Sequence, residues 1–414
     1  MTYRHKTDRK KISLLGFGAM RLPTVDGGHA NGWAIDGYSG KAIDQVLFNS
    51  QVKMMLDKGL NYFDTSPAYC RGESETCLGI ALEKSGYDRE DYVIATKMSN
   101  FSPTQYSLAA CKKMFGDSLK ALRTSYIDNY LLHNVGNGGY DTFKKRYLEN
   151  GAASWCLDLR AQGKIRNLGF SFHGDRRAWD WCIENHSTYK WDFALIQMNY
   201  VDWLHAKELS DKNLDAKYLY DTLTALKIPV VVMEPLLGGR LARYNWALAN
   251  RLTPLDPEAS LASWALRFCG SFDNVMCVLS GMTYSAHIEE NIETFSPLKK
   301  LTDKELSVLE EAAVAFLALN TIACNCCNYC MPCPYGLDIP GILTFRNEIL
   351  SSKKKLRPKE IITAYKKAIP QPLRRAEHCT GCGKCNSHCP QSIDIPKEIA
   401  KIDAWIDEVK NALV

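Results

Sequence analysis

Short apolar runs alternate with longer amphipathic segments through the first 300 residues. Eight of the runs have the length of β-strands, and they lie at 13–15, 61–63, 92–95, 128–132, 165–170, 193–197, 229–233 and 275–279. Helix-like stretches fill most of the gaps between them, at 41–58, 73–84, 103–122, 141–162, 175–186, 215–226 and 258–269. Strands this apolar are buried on both faces, as the strands of parallel sheets are. Eight successive βα units therefore predict an α/β fold of the (β/α)8 TIM-barrel class.

An open, doubly wound sheet is the alternative fold. Such a sheet usually carries an early G-x-G-x-x-G turn, and the Leu-Gly-Phe-Gly sequence at 15–18 lacks the third glycine. After the eighth strand, Thr302 and Glu305 have the spacing of a capping box, which predicts a helix over 302–319. We therefore predict a barrel domain over residues 1–320 and a second domain over residues 321–414.

Composition excludes several classes of protein. With 46% hydrophobic and 23% charged residues, the chain is neither disordered nor collagen-like. A net charge of +5 is too small to indicate nucleic-acid binding. No run reaches about 18 apolar residues, and no signal-peptide core follows the basic N-terminus. We expect a cytoplasmic protein with neither a membrane nor a nucleic-acid partner.

Four polar side chains follow the predicted second, third and fourth strands, where barrels carry their catalytic groups. They are Asp64, Tyr69, Lys97 and His133. A phenol, with an ordinary pKa of about 10, donates a proton poorly at neutral pH, and a nearby ammonium lowers that pKa. A carboxylate keeps the ammonium charged, and an imidazole binds the substrate oxygen or relays the proton. Each residue alone has an ordinary structural explanation, but the set predicts protonation of an alkoxide as hydride arrives.

These residues lie within longer motifs. The motifs are LGFGAMRL at 15–22, FDTSPAY at 63–69, G-x-S-E at 72–75, Thr-Lys at 96–97 and Leu-Leu-His at 131–133. In this order the chain strongly resembles the aldo-keto reductases over residues 12–320. The resemblance implies a (β/α)8 barrel that uses NADPH or, less often, NADH to interconvert a carbonyl and an alcohol. It also implies a catalytic tetrad of Asp64, Tyr69, Lys97 and His133, with Tyr69 as the general acid.

The same resemblance implies a set of cofactor contacts. These follow the first, fifth, sixth, seventh and eighth strands, and they are Met20, Arg21, Ser171, Gln197, Pro235, Leu236, Gly238, Gly281, Thr283, His287, Glu290 and Asn291. Phosphate sites in barrels lie after strands seven and eight, beside a helix N-terminus, although single glycines there are often ordinary turn residues. Trp33 and Trp203 are candidate walls of the substrate pocket.

One difference from the family affects the expected preference for NADP or NAD. Many members that use NADPH place Lys or Arg against its 2′-phosphate, but residues 282–287 contain neither. NADH use or weak discrimination is therefore expected, unless Arg240 or Arg243 supplies the cation from the neighbouring loop.

Nine of the sixteen cysteines lie between positions 324 and 389. Without an export signal such a cluster indicates metal rather than disulfides. The run at 379–390 has the bacterial ferredoxin spacing C-x2-C-x2-C-x3-C-P, and the run at 324–334 is one residue shorter at its last step. Zinc, which usually takes two separated C-x2-C pairs, is the alternative. We expect each 4Fe-4S cluster to be bound by three cysteines of one run and by the cysteine that precedes the final proline of the other run. The two predicted sets are Cys324, Cys327, Cys330 with Cys389, and Cys379, Cys382, Cys385 with Cys333, which leaves Cys326 surplus.

Helix-like segments at 340–350, 359–368 and 396–412 accompany the cysteines. This part resembles the helical ferredoxin domains of respiratory iron–sulfur subunits, and the whole chain resembles aldo-keto reductases that carry such a module. A basic spacer, beginning at Lys353, is either a solvated face or a docking face for an acidic redox protein.

Three functions remain open from the sequence. They are an NAD(P)H-dependent oxidoreductase with structural clusters, an enzyme that exchanges electrons with an external redox partner, and a non-catalytic binding module. The substrate, the direction of reaction and the oligomeric state are not determined by the sequence.

Overall fold

A closed barrel of eight parallel strands forms the larger part of the molecule. The computed structural model describes residues 1–7, 10–30, 42–389, 391 and 393–413, so Trp33 and Pro390 lie outside the described residues. The strands, numbered in chain order, are β1 (Leu15–Gly18), β2 (Tyr62–Asp64), β3 (Val93–Met98), β4 (Ile127–Val135), β5 (Ile165–Phe172), β6 (Phe193–Gln197), β7 (Val230–Met233) and β8 (Val275–Ser280). Each strand pairs in parallel with the next, and β8 pairs with β1. The predicted (β/α)8 barrel is confirmed, and the open sheet is wrong.

Sixteen helices accompany these strands among the described residues. They are α1 (Gln45–Asp57), α2 (Ser74–Ser85), α3 (Leu108–Ala121), α4 (Tyr140–Phe143), α5 (Ala152–Ala161), α6 (Arg176–Glu184), α7 (His186–Tyr189), α8 (Asp202–Leu209), α9 (Ala216–Ala225), α10 (Trp246–Leu252), α11 (Leu261–Ser271), α12 (Ser285–Thr294), α13 (Asp303–Leu317), α14 (Ile339–Ser351), α15 (Pro358–Ala368) and α16 (Ile395–Asn411). The predicted capping box is present at the start of α13. No described helix is both long enough and apolar enough to cross a bilayer.

Packing explains why the strands read as apolar runs. Inward-facing side chains such as Tyr62, Phe193 and Met276 fill the barrel, and a larger cluster lies between the strands and the helices. The surroundings of Gly16 show that the interior is tightly packed, because a Cβ at this position would lie 2.5 Å from Cys277 Sγ. The interior of the barrel is therefore a packed core rather than a channel.

The predicted first strand at 13–15 is wrong in its bounds. Barrel strand β1 starts at Leu15, whereas Lys10–Ser13 pairs antiparallel with Tyr3–Thr7 in a separate hairpin. The Ser13 hydroxyl donates to the Leu15 carbonyl at 2.7 Å, and this local bond accompanies the bend between the two strands. Because Ile12, Leu14 and Leu15 are all fully buried, their apolarity did not distinguish the hairpin from the barrel.

A second hydrophobic core lies in the C-terminal part of the chain. Helices α14, α15 and α16 pack around it with residues such as Ile342, Tyr365 and Ile402, and the cysteines pack against the same cluster. The three predicted C-terminal helices are thus confirmed, while the boundary at 320/321 stays a prediction.

Trp203 does not wall a pocket. Its ring packs 4.5 Å from that of Phe272 and 5.7 Å from that of Phe268, with Tyr220 beside them. The aromatic cluster joins α8 to α9 and α11, so the prediction of a pocket wall for this residue is wrong.

Candidate active site and cysteine sets

A buried ion pair lies at the mouth of the barrel. Lys97, near the end of β3, donates through Nζ to Asp64 Oδ1 at 2.6 Å and to the Thr65 carbonyl at 2.7 Å. Neither side chain of the pair is more than 5% exposed. Burial opposes charge on both groups, whereas the short contact and the added carbonyl acceptor favour it. Asp64 and Lys97 therefore form a charged pair.

Tyr69 and His133 lie beside this pair. The Lys97 Nζ is 4.8 Å from the centroid of the Tyr69 ring. The His133 ring stands edge-on to the Tyr69 ring, with 5.9 Å between the centroids. The structure therefore brings all four residues of the predicted tetrad together. Their convergence follows from the parallel strands, because the ends of β2, β3 and β4 meet at one rim of the barrel.

The pKa of Tyr69 departs from the sequence-based expectation. Burial raises this pKa well above 10, and the charges of Asp64 and Glu234 raise it further. The expected lowering of this pKa by Lys97 is therefore wrong, because desolvation of the phenol outweighs the effect of the ammonium. Burial and the Lys97 charge also hold the pKa of His133 well below 6.5. The site thus presents a protonated phenol and a neutral imidazole.

Residues outside the predicted tetrad orient the imidazole. His133 Nδ1 lies 2.6 Å from Ser99 Oγ, and the Ser99 and Ser66 hydroxyls are hydrogen-bonded to each other at 2.8 Å. Arg146 and Tyr147 both donate to the His133 carbonyl, at 2.7 and 2.6 Å. Sequence reasoning missed these four residues. Of the four, only Ser99 could have been predicted from the sequence, because it lies two positions after Lys97 at the end of β3.

Arg21 and Thr283 link the loops after β1 and β8, which carry predicted cofactor contacts. Thr283 Oγ1 donates to the Arg21 carbonyl at 2.9 Å, and Arg21 Nη1 donates to the Gly238 carbonyl at 3.4 Å. After β8, Asn291 Nδ2 donates to Ser280 Oγ at 3.0 Å, and Glu290 accepts from Ser260. The predicted contacts after β1, β7 and β8 therefore lie on adjoining loops.

The predicted nicotinamide contacts have defined partners. Ser171 Oγ accepts from the Asn134 backbone N–H at 2.7 Å, and Gln197 Nε2 donates to Asp202 Oδ2 at 2.8 Å. Ser171 is fully buried, whereas Gln197 is partly exposed at the rim. Both residues lie at the carboxyl ends of their strands, β5 and β6.

Comparison with known proteins identifies the barrel. The sequence profile of the aldo/keto reductase family matches residues 15–314. The chain belongs to the aldo/keto reductase family. Its membership makes the protein an oxidoreductase, as predicted.

Similar proteins cover most of the aldo/keto reductase barrel. The chain is 24% identical to L-galactose dehydrogenase of Arabidopsis thaliana over 324 residues, which cover 73% of this chain and 91% of the relative. It is also 24% identical to a probable voltage-gated potassium channel subunit beta of the same plant, over 73% of this chain and 93% of the relative. The holo form of an aldo-keto reductase from Bacillus halodurans shares the fold, with a TM-score of 0.58 and 23% identity over 76% of this chain and 97% of that one.

The cysteine-rich segment of this aldo/keto reductase lies over the β1 and β7 side of the barrel mouth. Arg21 Nη2 donates to the Asn325 carbonyl at 2.7 Å, and Asn325 Nδ2 donates to Glu234 Oε2 at 3.1 Å. A Cβ on Gly238 would lie 2.5 Å from that of Asn325, so only glycine fits this approach. Tyr329 extends the contact to Met20, with 4.0 Å between its hydroxyl oxygen and the thioether sulfur. The segment therefore covers the loops that carry predicted cofactor contacts.

Arg240 and Arg243 also face the C-terminal part of the chain. Arg240 Nη2 donates to Thr321 Oγ1 at 2.7 Å, and its guanidinium carbon lies 4.9 Å from the centroid of the Phe316 ring. Arg243 lies 3.7 Å from Glu348 on α14. Both candidate cations for the 2′-phosphate therefore have partners in or beside the C-terminal part of the chain.

A cavity of about 750 Å³ opens on the other side of the barrel mouth. The loops after β4, β5 and β6 line it, and they contribute glycines at 136, 138 and 139, with Gln197 and Asp202 at its inner side. Four cations also line the cavity, namely Arg176, Arg177, Lys207 and Lys212. The cavity therefore adjoins Gln197, one of the predicted nicotinamide contacts.

The predicted cysteine sets line two further cavities. One, of about 390 Å³, is lined by Cys333, Cys379, Cys382 and Cys385, with Cys330 at its edge. The other, of about 20 Å³, is lined by Cys324, Cys327, Cys330 and Cys389. Cys326 lines neither cavity, and its Sγ is 3.1 Å from Thr344 Oγ1. Within the described part of the chain, no three His, Cys, Asp or Glu side chains are grouped closely enough to hold a metal ion.

Proposed function

We propose that this aldo/keto reductase interconverts a carbonyl and an alcohol by NAD(P)(H)-dependent hydride transfer, with Tyr69 as the general acid. The observation that carries the proposal is the tetrad, in which a protonated, half-buried phenol adjoins a buried ion-paired ammonium and a buried neutral imidazole. When bound, the nicotinamide supplies or accepts the hydride at the carbonyl carbon. Tyr69 gives its proton to the substrate oxygen, and in the reverse direction the phenolate takes that proton back.

Each of the other three residues has a role in this proton transfer. Lys97 stabilises the phenolate that remains after Tyr69 has donated, because an ammonium at this distance opposes the negative charge. Asp64 holds Lys97 charged and in place. Neutral His133, with Nδ1 engaged by Ser99, presents Nε2 to the substrate oxygen.

Unsatisfied buried atoms support a dinucleotide site across the loops after β1 and β7. Arg21 Nε, Arg240 Nη1 and Asn325 Oδ1 are buried and have no hydrogen-bond partner among the described residues. Buried guanidinium donors without an acceptor are costly, and phosphate or ribose oxygens supply acceptors. Arg21 with the loop at 234–239 would therefore hold the pyrophosphate and ribose, and Ser171 with Gln197 would hold the nicotinamide carboxamide.

Isotope transfer tests this function. The full chain, purified anaerobically, is given a panel of small aldehydes and ketones together with NADH or NADPH deuterated at the transferred position of the nicotinamide. We expect deuterium at the carbinol carbon of the product. A panel that yields reduced product without deuterium at that carbon contradicts direct hydride transfer.

We propose further that the C-terminal domain is of the ferredoxin type and holds two 4Fe-4S clusters. The two cavities support this, because the lining of each includes the four thiols that the sequence assigned to one cluster, although no three of the described side chains lie close enough together to hold a metal ion as they stand. Four thiolates are the donor set that iron–sulfur cubes require. When bound, each cube would accept or release one electron, and it would also join the two cysteine runs through its iron.

A bracing role for the clusters follows from the position of the first cysteine run. Its residues Asn325 and Tyr329 contact the barrel at Glu234 and Met20. A cluster held by Cys324, Cys327 and Cys330 would therefore fix the segment that covers the cofactor loops. Iron and acid-labile sulfide counts of anaerobically purified protein test cluster content, and about eight of each per chain are expected for two cubes. Two zinc ions and no sulfide would contradict it.

Electron exchange with an external redox protein is the alternative function. The exposure of Cys382 favours it, because this thiol of the second set faces solvent. Exposed cations, including Lys353, Lys354 and Lys355, would suit an acidic partner. Hydride moves two electrons together, whereas a cube passes one, and coupling them normally needs a flavin. Rapid, stoichiometric bleaching of cluster absorbance by NAD(P)H, with no other protein present, would favour this alternative over the bracing role.

A further inference from the structure

The geometry points to Asp202 as a positioning residue that fixes the side-chain amide of Gln197 toward the nicotinamide. Asp202 starts α8, five residues after Gln197, and is 2% exposed. Its Oδ2 accepts from Gln197 Nε2 at 2.8 Å. The inference rests on the proposed function, because it concerns how Gln197 meets the cofactor.

Asn199 determines which groups donate and which accept in the hydrogen bonds around Asp202. Its Oδ1 accepts from the backbone N–H groups of Val201 and Asp202, both at 2.9 Å. A carbonyl oxygen alone can accept from both, so the orientation of the Asn199 amide is determined by the backbone. Its Nδ2 must then face Asp202 Oδ2, at 2.6 Å, and the Glu234 carbonyl, at 3.1 Å. Asp202 Oδ2 is therefore an acceptor in this network.

The same acceptor removes the ambiguity of the Gln197 amide. A glutamine side chain presents either its NH2 group or its carbonyl oxygen, and the two orientations have nearly the same shape. Because a carboxylate only accepts, Gln197 must turn its NH2 group to Asp202 and its Oε1 away from it. Gln197 lines the open cavity, so Oε1 is the atom available to accept from the NH2 group of a nicotinamide carboxamide.

The environment of Asp202 supports a charged acceptor. Burial raises the pKa of Asp202, whereas the two amide donors on Oδ2 and the guanidinium of Arg240 favour the carboxylate. A buried carboxylate is costly, and core packing alone would be served by an apolar residue. Its position beside Gln197 therefore fits a role in orienting a polar group rather than a role in stability.

Acetylpyridine adenine dinucleotide supplies the test, because a methyl group replaces the carboxamide NH2 and cannot donate to Gln197. Reduced forms of this analogue and of the natural dinucleotide are compared by binding rather than turnover, since the two differ in redox potential. We expect wild type to bind the natural cofactor about three- to tenfold more tightly, the size of one neutral hydrogen bond. In Asp202→Asn the preference should fall to within about twofold, because Gln197 is then free to turn either way.

Three further variants complete the design. Asp202→Ser removes the carboxylate by a second route, and far-UV circular dichroism with Tm shows which variants fold. Asp202→Glu keeps an acceptor and should restore part of the preference. Asp221→Asn makes the same exchange at an exposed position on α9 and should keep the wild-type ratio.

The possible results separate the inference from the proposed function. A folded Asp202→Asn or Asp202→Ser variant that binds more weakly but keeps the wild-type ratio would show a merely structural role and overturn the inference. Equal binding of both dinucleotides by wild type would also overturn it. If wild type binds neither dinucleotide, the proposed function itself fails, and the inference fails with it.

Discussion

Replacing Tyr69 by phenylalanine isolates the proposed proton donor. The exchange removes one O–H group and keeps the ring, which lies 4.8 Å from Lys97 Nζ and 5.9 Å from the His133 ring. Packing and the Asp64–Lys97 ion pair should therefore survive, and dinucleotide affinity should change little. Loss of general acid catalysis costs about a hundredfold or more in rate, and a hundredfold corresponds to about 2.7 kcal/mol of activation free energy.

Single-turnover absorbance of the nicotinamide, followed anaerobically with a verified carbonyl substrate, measures this rate. Tyr218→Phe makes the same exchange at a position that is 37% exposed, and it should leave the rate unchanged. Unchanged turnover in Tyr69→Phe would refute the assignment of the general acid.

The pH profile tests the same reasoning in the wild-type protein. Burial raises the pKa of Tyr69 well above 10 and lowers the pKa of His133 well below 6.5. Between pH 6.5 and 9 the phenol therefore stays protonated and the imidazole stays neutral, so the reduction rate should be flat. A fall in rate near pH 7 to 8 would instead show that Lys97 lowers the phenol pKa once the cofactor is bound.

Three other predictions follow from the structure. The Kd for NADH should exceed the Kd for NADPH by less than about one hundredfold, because a missing charge-assisted pair is worth about 1.5–3 kcal/mol. A larger preference for NADPH would show that another cation binds the 2′-phosphate. Lys97→Met should lower the free energy of unfolding by about 3–5 kcal/mol, because it leaves Asp64 buried without its partner. Lys113→Met, at an exposed position, should change the free energy of unfolding by less than about 0.5 kcal/mol. Similar values for the two variants would contradict a charged pair. Cys382→Ser should lower the thermal stability of the C-terminal part and change KM for the carbonyl, while dinucleotide binding persists. The same exchange at Cys326, outside both cysteine sets, should do neither, and equal effects at both positions would argue against the proposed ligands.

The sequence was sufficient for the features that depend on local pattern. Apolar runs located seven of the eight barrel strands, because strands buried on both faces carry few polar residues. The tetrad followed from the topology, since residues at the ends of successive parallel strands must meet at one rim. Family membership is now established by the profile match over residues 15–314. Cytoplasmic location, cluster content and the roles of the site residues stay predictions.

Long-range contacts account for what the sequence did not reveal. The direction of the Tyr69 pKa depends on desolvation by the folded barrel mouth, which no motif encodes. The contact between Arg21 and Asn325 joins residues 304 positions apart, and the pairing of Arg243 with Glu348 was equally inaccessible. From Ile12 to Leu15, continuous burial hid the change from hairpin to barrel.

The contacts of the cysteine-rich segment also connect the C-terminal part of the chain to the loop at 234–239. The loop at 234–239 is held from both sides, by Arg21 at Gly238 and by Asn325 at Glu234. If this loop moves to admit a dinucleotide, these bonds must break or form again, and binding would then be coupled to the packing of the segment. In that case, dinucleotide binding changes the stability of the packed segment by some factor. Thermodynamic reciprocity then requires that the packing of the segment changes dinucleotide affinity by the same factor. Cys382 shares its cavity with Cys333, at the other end of this segment from Asn325, so the loss of Cys382 alters dinucleotide binding only as far as Asn325 moves.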